Sequence, residues 1–157
     1  LDLISAGDQH AISEARNQAA REASRQISAG VQQFVADCVA TLRQETAKLC
    51  DEMLVSFRDG KTGVHQKTLN RLVNFIDQFK SLNFAGDREM EARLDQTRKT
   101  LLTRTAEEYR DDDKARTKLT QGIQNLANVA RDMAHADATE IVERFGQMGR
   151  RRFNLAA

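Results

Sequence analysis

The sequence predicts an all-α protein, an elongated antiparallel bundle of four to five helices with a long first and a long last helix. Three observations lead there. Pro and Trp are absent from the 157 residues, and Tyr occurs once, while Ala, Gln, Arg, Glu, Asp and Leu dominate, which is the composition of long helices. Apolar residues recur at steps of three and four over most of the chain. Few stretches interrupt that rhythm, so the connections are short and consecutive helices run antiparallel. The length suits one domain, residues 1–149, followed by a basic and apolar tail over 150–157.

The first segment, "GDQHAISEARNQAAREASRQISAG", has helical propensity but only a thin apolar face of Ile12, Ala15, Ala19, Ala23 and Ile27. It ends at Gly30, or it continues in phase through Val31 and Phe34 as one helix of about 50 residues. From 31 to 58, Val31, Val35, Cys38, Leu42, Thr46, Leu49, Met53 and Phe57 step by about 3.7 residues, near the helical period. "RDGKTG" then breaks the pattern with two glycines and an Asp, a helix-to-helix turn. Over 64–82 the stripe Val64, Leu69, Leu72, Val73, Phe75, Ile76, Phe79 and Leu82 is wide enough to need cover on more than one side, so Phe75 and Phe79 are both expected in the core.

In "NFAGD" a positive φ suits Gly86, and Asp87 can cap the free amides of the next helix. Met90, Leu94, Thr97, Leu101 and Leu102 carry that helix over 87–110. "DDD" at 111–113 suits the positive end of a helix dipole, so a new helix starts there. Leu119, Ile123, Leu126, Ala130, Met133, Ile141 and Phe145 extend it over 112–146, roughly 35 residues or about 50 Å.

These lengths do not match. The lower half of the last helix finds only the Ala-rich first segment beside it, so Ile12, Ala19, Ile27, Met133, Ile141, Phe145 and Met148 are expected to form a seam with an open third side. A helix from a second copy or from another protein would fill it.

Signals for chemistry are weak. His10, His65 and His135 lie on separate elements. Asp132 and His135 share a helix face in "DMAHAD", but a di-iron bundle needs two such pairs and buried glutamates on the other helices. The adjacent aspartates at 111–113 point apart, and no Gly-centred calcium loop follows. "DGKTG" lacks the upstream glycine and the strand of a phosphate-binding loop, and no Ser sits in a nucleophile elbow. No catalytic residue, metal or cofactor is therefore assigned, and the chain reads as non-enzymatic. Cys38 and Cys50, about 18 Å apart along one helix, cannot form a disulfide and suit reduced thiols in a cytoplasmic protein. A net charge of +1 argues against a general polyanion binder. There is no apolar run of membrane-spanning length, and the start "LDLISAGDQH" reads as trimmed from a longer chain.

The end "IVERFGQMGRRRFNLAA" sets Arg150, Arg151 and Arg152 at or past the helix terminus, where they complement the dipole. Beside Phe153 they also suit single-stranded nucleic acid, the alternative reading. The final Leu155, Ala156 and Ala157 resemble the end of the tag that marks products of stalled bacterial ribosomes, which implies recognition by a AAA+ protease if the terminus is free. The sequence as a whole points to a self-associating or partner-binding helical module.

Overall fold

A computed structural model describes residues 5–156, with side chains to Gly149. The described residues form six α-helices: α1 (Ala6–Phe57), α2 (Gln66–Leu82), α3 (Arg88–Thr100), α4 (Ala106–Asp111), α5 (Asp113–His135) and α6 (Thr139–Ala156), with a 3-10 turn at Gly60–Gly63. All-α is right; six helices replace the four to five expected. α1 runs unbroken through Gly30, as the in-phase stripe allowed. The chain divides into two compact units, one ending at Val35 and the other starting at Ala36.

The first unit is a single helical stretch in which every described side chain from 5 to 34 is exposed. Ser5 caps it by accepting from the Asp8 amide at 3.2 Å. Two intrahelical ion pairs lie along it, His10 with Glu14 at 3.3 Å and Arg25 with Glu22 at 3.9 Å. Such exposed pairs add only tenths of a kcal/mol each.

The second unit encloses the core. Cys50, Met53 and Phe57 from α1 meet Leu69, Leu72, Ile76 and Phe79 from α2, Met90 and Leu94 from α3, Tyr109 from α4, and Leu119, Ile123, Leu126 and Met133 from α5. α2 packs against α3 and α4, and α5 against α3 and α4. Between α1 and α2, Gly63 permits a close approach, because a Cβ there would lie 1.9 Å from the Ser56 carbonyl oxygen. Ser56 Oγ fixes the turn by donating to the Gly63 carbonyl at 2.6 Å.

The α2–α3 connection forms as the sequence foretold. Gly86 has φ 77°, and Asp87 accepts from the Met90 amide as the N-cap of α3. Arg43 was not foreseen. Its guanidinium, buried in α1, donates from Nε to Asp87 Oδ2 at 2.7 Å, from Nη2 to Asp87 Oδ1 at 3.2 Å and from Nη1 to the Met133 carbonyl at 2.7 Å. Asn83 closes the cluster, donating to the Asp87 carbonyl at 3.1 Å and accepting from the Asp87 amide at 2.8 Å. One cation thus ties α1 to the start of α3 and to the end of α5.

Two expected helices are divided. The 87–110 helix stops at Thr100, and Thr105 starts α4 as its N-cap: its Oγ1 accepts from the Glu108 amide and donates to the Glu108 carboxylate. Tyr109 Oη donates to the Leu101 carbonyl, holding the bend. The new start at "DDD" is present, with Asp112 accepting from the Ala115 amide. Its carboxyl is held below the usual range by that bond first and by Arg104 second. The long 112–146 helix is not formed. α5 ends at His135, where the Met133 carbonyl accepts both from the Ala136 amide at 3.1 Å and from Arg43. Asp137 then opens α6 by accepting from the Thr139 amide at 2.9 Å and from its hydroxyl.

Phe79 is buried, whereas Phe75 is only half-buried, so the sequence expectation holds for one of the pair. Phe79→Ala should cost about 3–5 kcal/mol in urea unfolding, and Phe75→Ala distinctly less. Equal costs would mean that Phe75 is shielded as fully as Phe79. Arg43→Met leaves the Asp87 charge buried without its partner and should cost about 3–5 kcal/mol. Adding Asp87→Asn, which keeps a capping oxygen, should recover part of that loss. A loss under about 1 kcal/mol for Arg43→Met would show that water replaces the guanidinium freely.

Candidate partner-docking surface

The residues expected to form one seam fall into the two units. Ile12, Ala19 and Ile27 stand on the first unit, with Ile12 44% and Ile27 68% exposed. Val31 extends their stripe and is also exposed. A helix places residues three and four apart on one face, so this is a continuous apolar line along exposed backbone.

The second unit treats its four seam residues differently. Met133 is buried in the core beside the carbonyl that Arg43 binds, so it is a packing residue and leaves the docking set. Its phase continued the Leu119, Ile123, Leu126 stripe, which is the stripe that faces the core. Ile141 and Phe145 are half-buried on α6. The Phe145 ring stands edge-on to Phe84 of the α2–α3 connection, centroids 5.9 Å apart at 77°. Met148 is 43% exposed and prolongs that face outward. α6 is therefore docked along one part of its apolar face and open along another.

The helical backbone of α6 continues through Arg150, Arg151 and Arg152 to Ala156. The arginines are thus inside the helix and not past its end, which corrects the capping position expected from Gly146 and Gly149. Both glycines are helical here. The side chains of 150–156 lie outside the described detail, as does Ala157, and with them the nucleic-acid and protease-recognition readings of the tail.

Two further grooves flank the outer ridge of α1. One, of about 710 Å³, lies between α1 and α2 over Leu49 and Phe75. The other, of about 590 Å³, lies between α1 and α5 along Ala47, Val55 and Ala134. Lys48 and Glu52 border both. The rims are bridged by Arg71 to Glu52 at 2.6 Å and by Arg131 to Asp51 at 2.6 and 2.8 Å. Asp51 raises the Arg131 pKa, by hydrogen bonding first and by charge second. Val55 was passed over in the sequence, although it falls half a turn out of phase with Met53 and Phe57 and so had to face outward.

For chemistry the described residues offer little. No group of three or more His, Cys, Asp or Glu residues converges to hold a metal ion among them. Asp132 and His135 are both exposed. Both cysteines are free; burial first, and the Asp51 charge second, push the Cys50 thiol up to about 12, so it stays protonated. No described helix is long and apolar enough to cross a membrane. The fold and surface together define an all-α protein with amphipathic helix faces left open. Compared with known proteins, the chain matches no family model, no curated protein and no solved structure.

Acid should loosen α6 at its start. Hydrogen bonds from the Thr139 hydroxyl and amide hold the Asp137 carboxyl below its ordinary value. A carboxylate with a lowered folded pKa contributes stability that is present above its unfolded pKa and is lost as pH falls through the folded one. Protection factors of the amides at 139–142, measured against the intrinsic exchange rate at each pH, should therefore fall on acidification below the ordinary Asp range, and Asp137→Asn should flatten that dependence. An unchanged acid profile in Asp137→Asn would assign the effect to another group.

Proposed function

We propose that this protein is a non-enzymatic helical assembly module, which packs open helix faces against a helical partner, either a second copy or another protein. The observation that carries the reading is the stretch of α1 from 6 to 34, which buries no side chain while exposing Ile12, Ile27 and Val31. A helix in a protein draws most of its stability from burying its apolar face, and this stretch buries none of it. Gly30 in its interior weakens it further. A partner helix supplies the missing burial. The open end of the α6 face, at Met148, supports the same reading from the second unit. Binding of this kind requires no covalent chemistry and no cofactor.

Light scattering of the full chain should give a mass above the monomer, or a mass that rises when the partner is added. Ile12→Asp with Ile27→Asp should lower that mass while the helical core stays folded, since both positions are exposed. A monomer at high micromolar concentration that takes up no partner would overturn the proposal. Submicromolar oligonucleotide binding that is lost when Arg150, Arg151 and Arg152 are changed to Gln would replace it with the nucleic-acid reading.

A further inference from the structure

Resting on the assembly reading, we infer that the exposed stretch of α1 pairs antiparallel with the same stretch of a second copy, in the register that sets Ile12 of each beside Ile27 of the other. Three features of this exposed stretch favour that occupant.

The first is the symmetry of the stripe. Ile12, Ala19, Ala20, Ala23 and Ile27 share one face, and an eleven-residue spacing recurs from Ile12 to Ala23 to Phe34 and from Ala20 to Val31. Such a repeat, about 3.67 residues per turn, keeps the face nearly straight along the helix. Between Ile12 and Ile27 the stripe, reversed end to end, maps onto itself: Ile12 falls on Ile27 and Ala19 on Ala20, while Val31 and Phe34 run on to the level of Asp8 and Ser5 of the second copy. Both large residues then meet large ones at the two ends, and alanines meet in the middle. Small residues there let the axes come to the near end of the usual 8–10 Å spacing.

The second feature is Arg16, the one charge on that face between Ile12 and Ile27; Glu14, Arg21, Glu22 and Arg25 turn to its flanks or back. A parallel pair in register would set Arg16 against its own copy, and like charges facing each other across an interface are costly. The antiparallel pair sets it opposite Ala23, where its methylene stem can cover the methyl and its guanidinium can reach water.

The third feature is the distribution of charge along the stretch. From 6 to 14 there are two acids, Asp8 and Glu14, and no Arg or Lys; from 15 to 34, Arg16, Arg21 and Arg25 outnumber Glu22. The antiparallel pair brings the acidic turns of one copy level with the basic turns of the other, on the outer sides of the pair, where salt screens most of the attraction. The two helix dipoles also oppose each other. A parallel pair would align acidic with acidic turns and dipole with dipole.

Site-directed crosslinking of the full chain separates these arrangements. In a Cys38→Ser background, chains carrying Ile12→Cys are mixed with chains carrying Ile27→Cys and oxidised mildly; Cys50 remains, since it is buried and protonated. The expected product links position 12 to position 27, in about tenfold excess over either self-linked product. In the antiparallel register the two copies of position 12 stand about 22 Å apart, beyond the reach of a disulfide. Preferential self-linkage at position 12 would show a parallel pair and overturn the inference. No linkage in a protein whose mass is nevertheless dimeric would overturn it too, placing the contact elsewhere and leaving the assembly reading standing. A monomeric mass at every concentration, with no partner taken up, would remove both.

Discussion

The buried guanidinium of Arg43 is the interaction on which the second unit depends. Three of its nitrogens are committed, two to the Asp87 carboxylate and one to the Met133 carbonyl. Those acceptors belong to the N-cap of α3 and to the last turn of α5, so the orientation of both helices relative to α1 is fixed by one side chain. A buried ion pair is weak evidence for stability by itself, because desolvation offsets much of the attraction. Here the pair also satisfies a helix terminus at each end, and Asn83 completes the remaining backbone bonds of Asp87. No described buried side-chain nitrogen or oxygen is left without a partner. What this network contributes above all is a unique arrangement, since an apolar contact would not distinguish one register of α5 against α1 from its neighbours.

That network also shapes the docking surface. It holds the Met133 carbonyl at the end of α5, Asp137 starts α6 as a separate helix, and the Phe145 ring of α6 packs on Phe84. Had α5 run on, Ile141 and Phe145 would have continued the line of Met133. The short helix instead presents an apolar face that is part docked and part open. The two units therefore differ in kind: one is held by its own core, and the other, from 5 to 34, has every described side chain in contact with solvent.

Period and punctuation made much of this visible in advance. The stripe from Val35 to Phe57, the turn around Gly60, the positive φ at Gly86, the cap at Asp87 and the new start at Asp112 each follow from local chemistry acting within a few residues. The thin face of Ile12, Ala19 and Ile27 was legible for the same reason, and it remains exposed. The breaks at 101–105 and 136–138 were harder. The N-cap Thr105, with Glu108 three residues on, was written in the sequence and was outweighed by the apolar phase running through it. The pause after His135 carried only an Asp and a Thr as local signs, and the contact that Arg43 makes with its last turn comes from 90 residues away.

Composition and periodicity by themselves determined that the chain is helical, which faces are apolar, and where most helices begin, because helix formation and capping are local and each residue answers chiefly to neighbours within four positions. Tertiary structure alone decided which apolar residues are spent on the core and which are left open. Met133 and Met148 carry the same side chain, yet one is buried and the other exposed. It also decided that a charged residue belongs inside, since Arg43 shows no pattern that marks it apart from the exposed arginines. Burial depends on what other segments bring into contact, and the Arg43 site is defined by Asp87 and Met133, which only folding brings to it.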